Sequence, residues 1–113
     1  MGHAGEPEDR IDVETGERIN VVRPYGEMDM SRAPELHRVL VKALARGVDV
    51  VVDLQHLTFC DSSGLNALLT ARSAAAADGR TLYLAAPTVQ VARLLEMTGS
   101  DAIFSIDPAP PLP

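Results

Sequence analysis

Val48-Asp49-Val50-Val51-Val52-Asp53-Leu54 is the stretch that decides the fold. Its apolar residues are nearly continuous and mostly β-branched, the pattern of a strand covered on both faces, as in a parallel sheet. Outward from it the period changes. Before it, Leu36, Val39, Leu40, Ala43 and Leu44 fall at helical spacing after Pro34, one apolar stripe of an amphipathic helix. Ser31 is placed to cap that helix and Gly47 to end it. Further upstream, Ile11 and Val13 alternate with polar residues, Thr15-Gly16-Glu17 offers a turn, and Ile19, Val21 and Val22 resume the alternation. That is a hairpin, closed by Pro24 and Gly26.

After the valine run, a second helix is expected from Ser62 or Ser63 to Asp78, stopped by Gly79. Leu65, Leu68 and Leu69 form its apolar side, followed by the small Ala71, Ala74 and Ala75. Residues 81–85 read as a buried strand, Thr88 as the cap of a third helix through Val91, Leu94 and Leu95, and Gly99 as its end. Residues 102–106 read as a last short strand. The order β-β-α-β-α-β-α-β predicts an α/β fold with right-handed crossovers and one mixed sheet, antiparallel at the hairpin and parallel elsewhere. Residues 10–106 make the folded unit. Residues 1–9, acidic and without a periodic apolar face, and 107–113, rich in proline, are expected as tails.

Composition narrows the function. In 113 residues, 46% are hydrophobic and 23% charged, which fits one folded domain. Aromatics are 4% with no Trp, so Leu, Val, Ile and Ala must build the core. Sixteen acids against ten bases give a net charge of −6, which argues against nucleic acid as the main partner. No apolar run approaches the roughly 18 residues of a membrane span. The acidic start does not resemble a signal peptide, and a single cysteine, Cys60, allows no internal disulfide; both point to the cytoplasm. Cys60 reads as a small buried hydrophobe. His3, His37 and His56 lack ligand spacing, so no metal site is expected.

In a parallel sheet the functional ground lies where strand carboxyl ends meet helix starts. Two segments, read as loops, point there: Gly26-Glu27-Met28-Asp29 and Phe59-Cys60-Asp61-Ser62-Ser63-Gly64-Leu65. Ser62 stands at a helix mouth, where unpartnered amides carry partial positive charge and would meet an added phosphoryl group. Gly64 leaves room for such a group or for another protein's backbone. Capping alone also explains Asp61, Ser62 and Ser63 at a helix start.

Asp61-Ser62-Ser63-Gly64-Leu65, after the strand Val50-Val51-Val52-Asp53-Leu54, resembles the phosphorylation motif of the anti-sigma factor antagonists, single-domain members of the STAS family. Gly26-Glu27-Met28-Asp29 is similar to the family's Gly-Glu-aliphatic-Asp segment, and Leu94-Leu95-Glu96-Met97-Thr98-Gly99 to its third-helix ending. The resemblance spans about residues 11–106 and implies a switch, not an enzyme. The unphosphorylated protein binds an anti-sigma factor that is also a serine kinase, and a sigma factor is freed. The kinase, supplying its own ATP, phosphorylates Ser62 and the complex parts; a metal-dependent serine phosphatase resets it. No cofactor is implied for the chain itself, and it is expected as a monomer or weak dimer.

The implied partner surface comprises Asp29, Asp61, Ser62, Ser63, Gly64 and Asn66. For Asp29 two readings stand, a recognition group beside the serine or a loop carboxylate accepting backbone amides. Ser63 reads as structural support of the helix start, and Asn66 as partner-facing or merely solvated. Two other functions compete. Some STAS domains are adaptor subunits of lipid-transport ABC complexes. A hydrolase with Ser62 as nucleophile is disfavoured, since Ser62 lies in no Gly-x-Ser-x-Gly setting. Family members commonly carry a further helix after the last strand, and the prolines from Pro108 leave little room for one here.

Overall fold

The structure, a computed structural model, describes residues 9–111. Along the chain run β1 (Ile11–Glu14), β2 (Ile19–Pro24), β3 (Gly26–Met28), α1 (Ala33–Leu44), β4 (Asp49–Asp53), β5 (Leu57–Cys60), α2 (Ser62–Ala77), β6 (Leu82–Ala85), α3 (Val89–Thr98), a 3-10 turn at Ser100–Ala102, and β7 (Ser105–Asp107). The tail expected over 1–9 lies, all but Asp9, outside the described residues, as do Leu112 and Pro113.

The mixed α/β architecture is as expected. Five strands form a sheet in the order β1-β2-β4-β6-β7, antiparallel at β1–β2 and parallel at the other pairings. The valine strand β4 is central, flanked by β2 and β6. Val50 and Val52 are fully buried and join Val22, Leu82 and Leu84 with Leu36, Leu40, Leu65 and Leu68 in one core beneath α1 and α2. That burial is the main driving force for the fold.

Four expectations need correction. The sheet is not single: Gly26–Met28 and Leu57–Cys60, read as loops, pair in parallel as a separate two-stranded sheet. Strands of three and four residues are too short for an alternation to stand out in the sequence. Next, β4 is not sealed on both faces. Val51, between Val50 and Val52, is half-buried on the opposite face, where with Tyr83 it lines an open groove also bordered by Pro108 and Pro111. Ser31 does not cap α1; Arg32 holds the N-cap position with no side-chain bond. The last strand begins at Ser105, not Ala102, because residues 100–102 continue from α3 as the 3-10 turn.

Other boundaries fall where expected. Asp61 and Thr88 cap α2 and α3, Gly79 follows α2 at φ +70°, and Gly99 ends α3 at φ +74°, a left-handed geometry that glycine adopts without strain.

The core contains one uncharged polar side chain of note. Asn20 in β2 is fully buried; its Nδ2 donates to the Ala43 carbonyl of α1 at 3.1 Å and its Oδ1 accepts from the Gly16 amide at 3.0 Å. One side chain therefore fastens the hairpin turn to the end of α1. Asn20→Ala removes both bonds, and a loss of about 1–3 kcal/mol is expected by urea denaturation.

Candidate functional site

The site is built on the short sheet. β3 and β5 run parallel, and their carboxyl ends lead into α1 and α2 respectively. Where β5 ends, the Asp61 amide donates to the Met28 carbonyl at 3.1 Å, so the two strand ends are joined where the helices begin. Asp61 is extended at φ −102° and ψ −173°, and its Oδ1 accepts from the Ser63 amide at 2.9 Å and the Gly64 amide at 3.2 Å. This satisfies two of the amides that a helix start leaves without intrahelical partners.

Ser62 is the first residue of α2 and is exposed. Ser63 is half-buried beside it, and Asn66, one turn on, is exposed. Ser62, Ser63 and Asn66 line one side of an open groove of about 610 Å³ between α1 and α2; Met30, Pro34 and His37 lie across it. The free-amide setting expected around Ser62 is corrected in one respect. The Ser63 and Gly64 amides are already held by Asp61, so a group added to Ser62 faces the groove and solvent, with a carboxylate next door.

Gly64 differs from its expected role. It is buried, and a Cβ built on it would stand 2.7 Å from Cys60 Sγ, 2.8 Å from Met28 Cγ and 3.1 Å from the Met28 carbonyl oxygen. The missing side chain makes room for the chain's own core, not for a visitor. α2 can therefore seat its first turn directly on β3 and β5.

Asp29 follows Met28 and is half-buried. Its Oδ1 accepts from the Ser31 hydroxyl at 2.6 Å and the Ser31 amide at 3.0 Å, while its carbonyl accepts from the Arg32 and Ala33 amides. The Ser31 hydroxyl, with backbone amides of Ser31 and Arg32, holds the Asp29 carboxyl below the usual carboxylate range. This is the turn-forming arrangement that displaced Ser31 from the capping position. Arg32 does not pair with Asp29. Its guanidinium donates to the carbonyls of Tyr25 at 2.8 Å and Glu27 at 2.6 Å, bracing the strand that carries Asp29.

Cys60, buried as expected, has its thiol pushed up to about 12, first by desolvation and then by the neighbouring Asp61 charge. Gln90 of α3 was not singled out in the sequence. Its Oε1 accepts from the Cys60 amide at 2.9 Å and its Nε2 donates to the Cys60 carbonyl at 2.8 Å. A side-chain amide thus completes the free edge of β5 as a neighbouring strand would, a role with no sequence signature. Among the described residues no group of three or more His, Cys, Asp and Glu side chains is placed to hold a metal ion, and no helix is long and apolar enough to cross a membrane.

Comparison with known proteins follows this geometry. Residues 10–110 match the STAS domain family. The chain is similar to the anti-sigma-B factor antagonist of Staphylococcus aureus (strain NCTC 8325 / PS 47), with 30% identity over 98 residues covering 86% of this chain and 91% of that protein. Its fold is similar to the crystal structure of an anti-sigma factor antagonist from Mycobacterium paratuberculosis, at TM-score 0.80 and 27% identity, covering 88% of this chain and 86% of that one. It is also similar in fold to the Bacillus cell fate determinant SpoIIAA in its phosphorylated form, at TM-score 0.65 and 22% identity, covering 86% and 90%.

Two outcomes test the packing at the site. Gly64→Ala gains helix propensity of up to about 1 kcal/mol but must displace Cys60 and Met28, at about 1–3 kcal/mol. The clash wins, and a net loss of about 1 kcal/mol should lower Tm by about 4–8 °C. Alkylation of Cys60 by iodoacetamide should be negligible in the native protein at pH 9 and fast in urea. The folded thiol stays neutral there, whereas the unfolded one ionises, so stability falls as pH rises above the ordinary thiol range toward the raised value. Cys60→Ala removes that slope.

Proposed function

The chain belongs to the STAS domain family, and we propose that it is an anti-sigma factor antagonist whose grip on its partner is switched by phosphorylation of Ser62. Unphosphorylated, it binds an anti-sigma factor that is also a serine kinase and so frees a sigma factor. The kinase brings ATP and esterifies the Ser62 hydroxyl; a serine phosphatase removes the phosphate. The chain performs no catalysis of its own. It is substrate and switch.

The observation that carries this reading is the exposed hydroxyl at the first position of α2, on the rim of an open groove. A kinase can reach it without opening the core. Asp61, Ser63 and Asn66 adjoin it as recognition groups, with Asp29 contributing from the end of the neighbouring strand β3, whereas buried Gly64 acts through the close packing that holds the helix start in place. The relatives named above support the reading by their names.

The off-state follows from charge. A phosphoserine carries about −1.5 to −2 at neutral pH. It stands beside Asp61 on a chain already at −6, with the Ser63 and Gly64 amides committed to the Asp61 carboxylate. In the free protein this charge projects into water and is screened, so the fold persists. Under a docked partner it is desolvated without a counter-charge. Misplaced charge of that kind costs on the order of several kcal/mol, and each ~1.4 kcal/mol is tenfold in affinity. Release therefore comes from conflict at the interface, not from unfolding.

The test is to incubate the purified protein with anti-sigma factor kinases of its source organism and ATP, and to map the phosphate by mass spectrometry. One kinase should modify Ser62; Ser62→Ala should bind it and stay unmodified. Ser62→Asp should bind at least tenfold more weakly, with an amide spectrum changed only around 60–66. Equal binding by Ser62→Asp, or no modification by any kinase together with recovery on a transporter's ATPase, would overturn the reading.

A further inference from the structure

Strand β5 contains an irregularity that simple strand geometry does not need. Gly26 pairs with Leu57, Glu27 with Phe59 and Met28 with Cys60, so one step on β3 spans two on β5 and Thr58 is the extra residue of a β-bulge. Side chains in a regular strand alternate, which with Leu57 buried would turn Thr58 out, Phe59 in and Cys60 out. The bulge resets this. Leu57 and Cys60 are buried, while Thr58 and Phe59 are both exposed. The price of a disrupted ladder is a phenylalanine 41% open to solvent.

Phe59 is not alone. Gln90, by its two bonds to the Cys60 backbone, clamps the start of α3 against β5 and sets Val89, 78% exposed, beside that strand. On the other side of Ser62, Met30 is 72% exposed and borders the same groove as the serine. Three elements thus bring apolar side chains to the surface near the start of α2: Met30 in the Ser62 groove, Phe59 on the strand that leads into the helix, and Val89 next to the Gln90 that holds Cys60. The rim beside β3 is acidic: Glu27, directly across from Phe59, is exposed, and Asp29 lies next along the chain. Arg32 does not offset it outward, since its guanidinium turns to backbone carbonyls and its side chain is 13% exposed.

We infer that Phe59, Val89 and Met30 form an apolar collar around Ser62, covered by the anti-sigma factor kinase when the serine is unmodified. This rests on the functional reading above and extends it. The occupant is a protein surface apolar at its centre, over Ser62, and basic only at its edge, where it meets exposed Glu27. Continuity with Ser62 selects it: Phe59 lies three residues before the serine, Met30 shares its groove, and Val89 adjoins the Gln90 that is bonded to Cys60. The collar supplies the affinity, because aromatic and large apolar anchors at the centre of an interface carry most of the binding. Ser62 supplies the veto.

The experiment uses the full chain and the purified kinase found to modify Ser62, with affinities from calorimetry. Phe59→Ala should weaken binding by about tenfold or more, and Val89→Ser together with Phe59→Ala further, while Phe59→Leu keeps most of the affinity. Circular dichroism and Tm should stay near those of wild type, because none of these side chains is in the core. Affinity within twofold for Phe59→Ala and for the double variant, with Ser62→Asp still defective, would overturn the collar and leave the functional reading standing. Loss in the Phe59 variants with Ser62→Asp binding normally would instead sink the switch. If wild type dimerises at micromolar concentration and Phe59→Ala is monomeric with unchanged kinase affinity, the patch joins two copies and the inference is wrong.

Discussion

The placement of Ser62 depends on a close contact between backbone and side chains at Gly64. With no Cβ there, the first turn of α2 rests on Cys60 and Met28, the ends of β5 and β3. The Asp61 amide reaches the Met28 carbonyl in the same place, and the Asp61 carboxylate closes the helix start from outside. Removing the side chain at one position therefore fixes a strand pair, a helix origin and the direction in which the preceding serine faces. Burial of Gly64 and exposure of Ser62, two residues apart, are consequences of one packing arrangement.

The short sheet beneath this contact is held from several sides. Tyr25, just before β3, stacks on His56, just before β5, with ring centroids 4.5 Å apart, and Arg10 lies 3.8 Å over the other side of the Tyr25 ring. The Gly26 amide donates to the His56 carbonyl at 3.1 Å. Arg32 spends its guanidinium on the carbonyls of Tyr25 and Glu27, and Gln90 completes the far edge of β5. A pair of strands this short is not stable by itself in water. Side chains from the N-terminal segment, α1 and α3 supply what the strands lack, and so give the start of α2, where Ser62 stands, a rigid base.

Sequence period and capping chemistry made much of this legible. The β-branched run 48–54 announced the central strand, Leu36, Leu40 and Ala43 the buried stripe of α1, and Asp61 with Gly79 the limits of α2. Those signals are local and repeated, so burial imprints them on composition. The short strands left no such imprint, because three or four residues with a bulge break the alternation that would reveal them. Ser31 looked like a cap until the turn at Asp29 took its hydroxyl. The motif 61–65 marked the start of α2, but at Gly64 the structure gives the opposite of the expected role. Sequence alone does not say whether a glycine makes room for a visitor or for a neighbour. Phe59, Val89 and Gln90 passed unnoticed because their roles exist only once β5 and α3 are side by side.

With this geometry the proposed switch needs no second conformation. Bistable proteins respond to phosphate by ordering or melting a segment, which requires two packings of similar free energy. Here the Ser62 hydroxyl is outside the core, the Ser63 and Gly64 amides are already occupied, and the residues that seat the helix, Gly64, Cys60 and Met28, are buried and tightly packed. Nothing in that arrangement offers an alternative resting place for α2. The free energy of the phosphate proposed for Ser62 would therefore be expressed only where another surface excludes water from it. A rigid base and an exposed hydroxyl together would confine the effect of the proposed ester to binding and leave the fold intact.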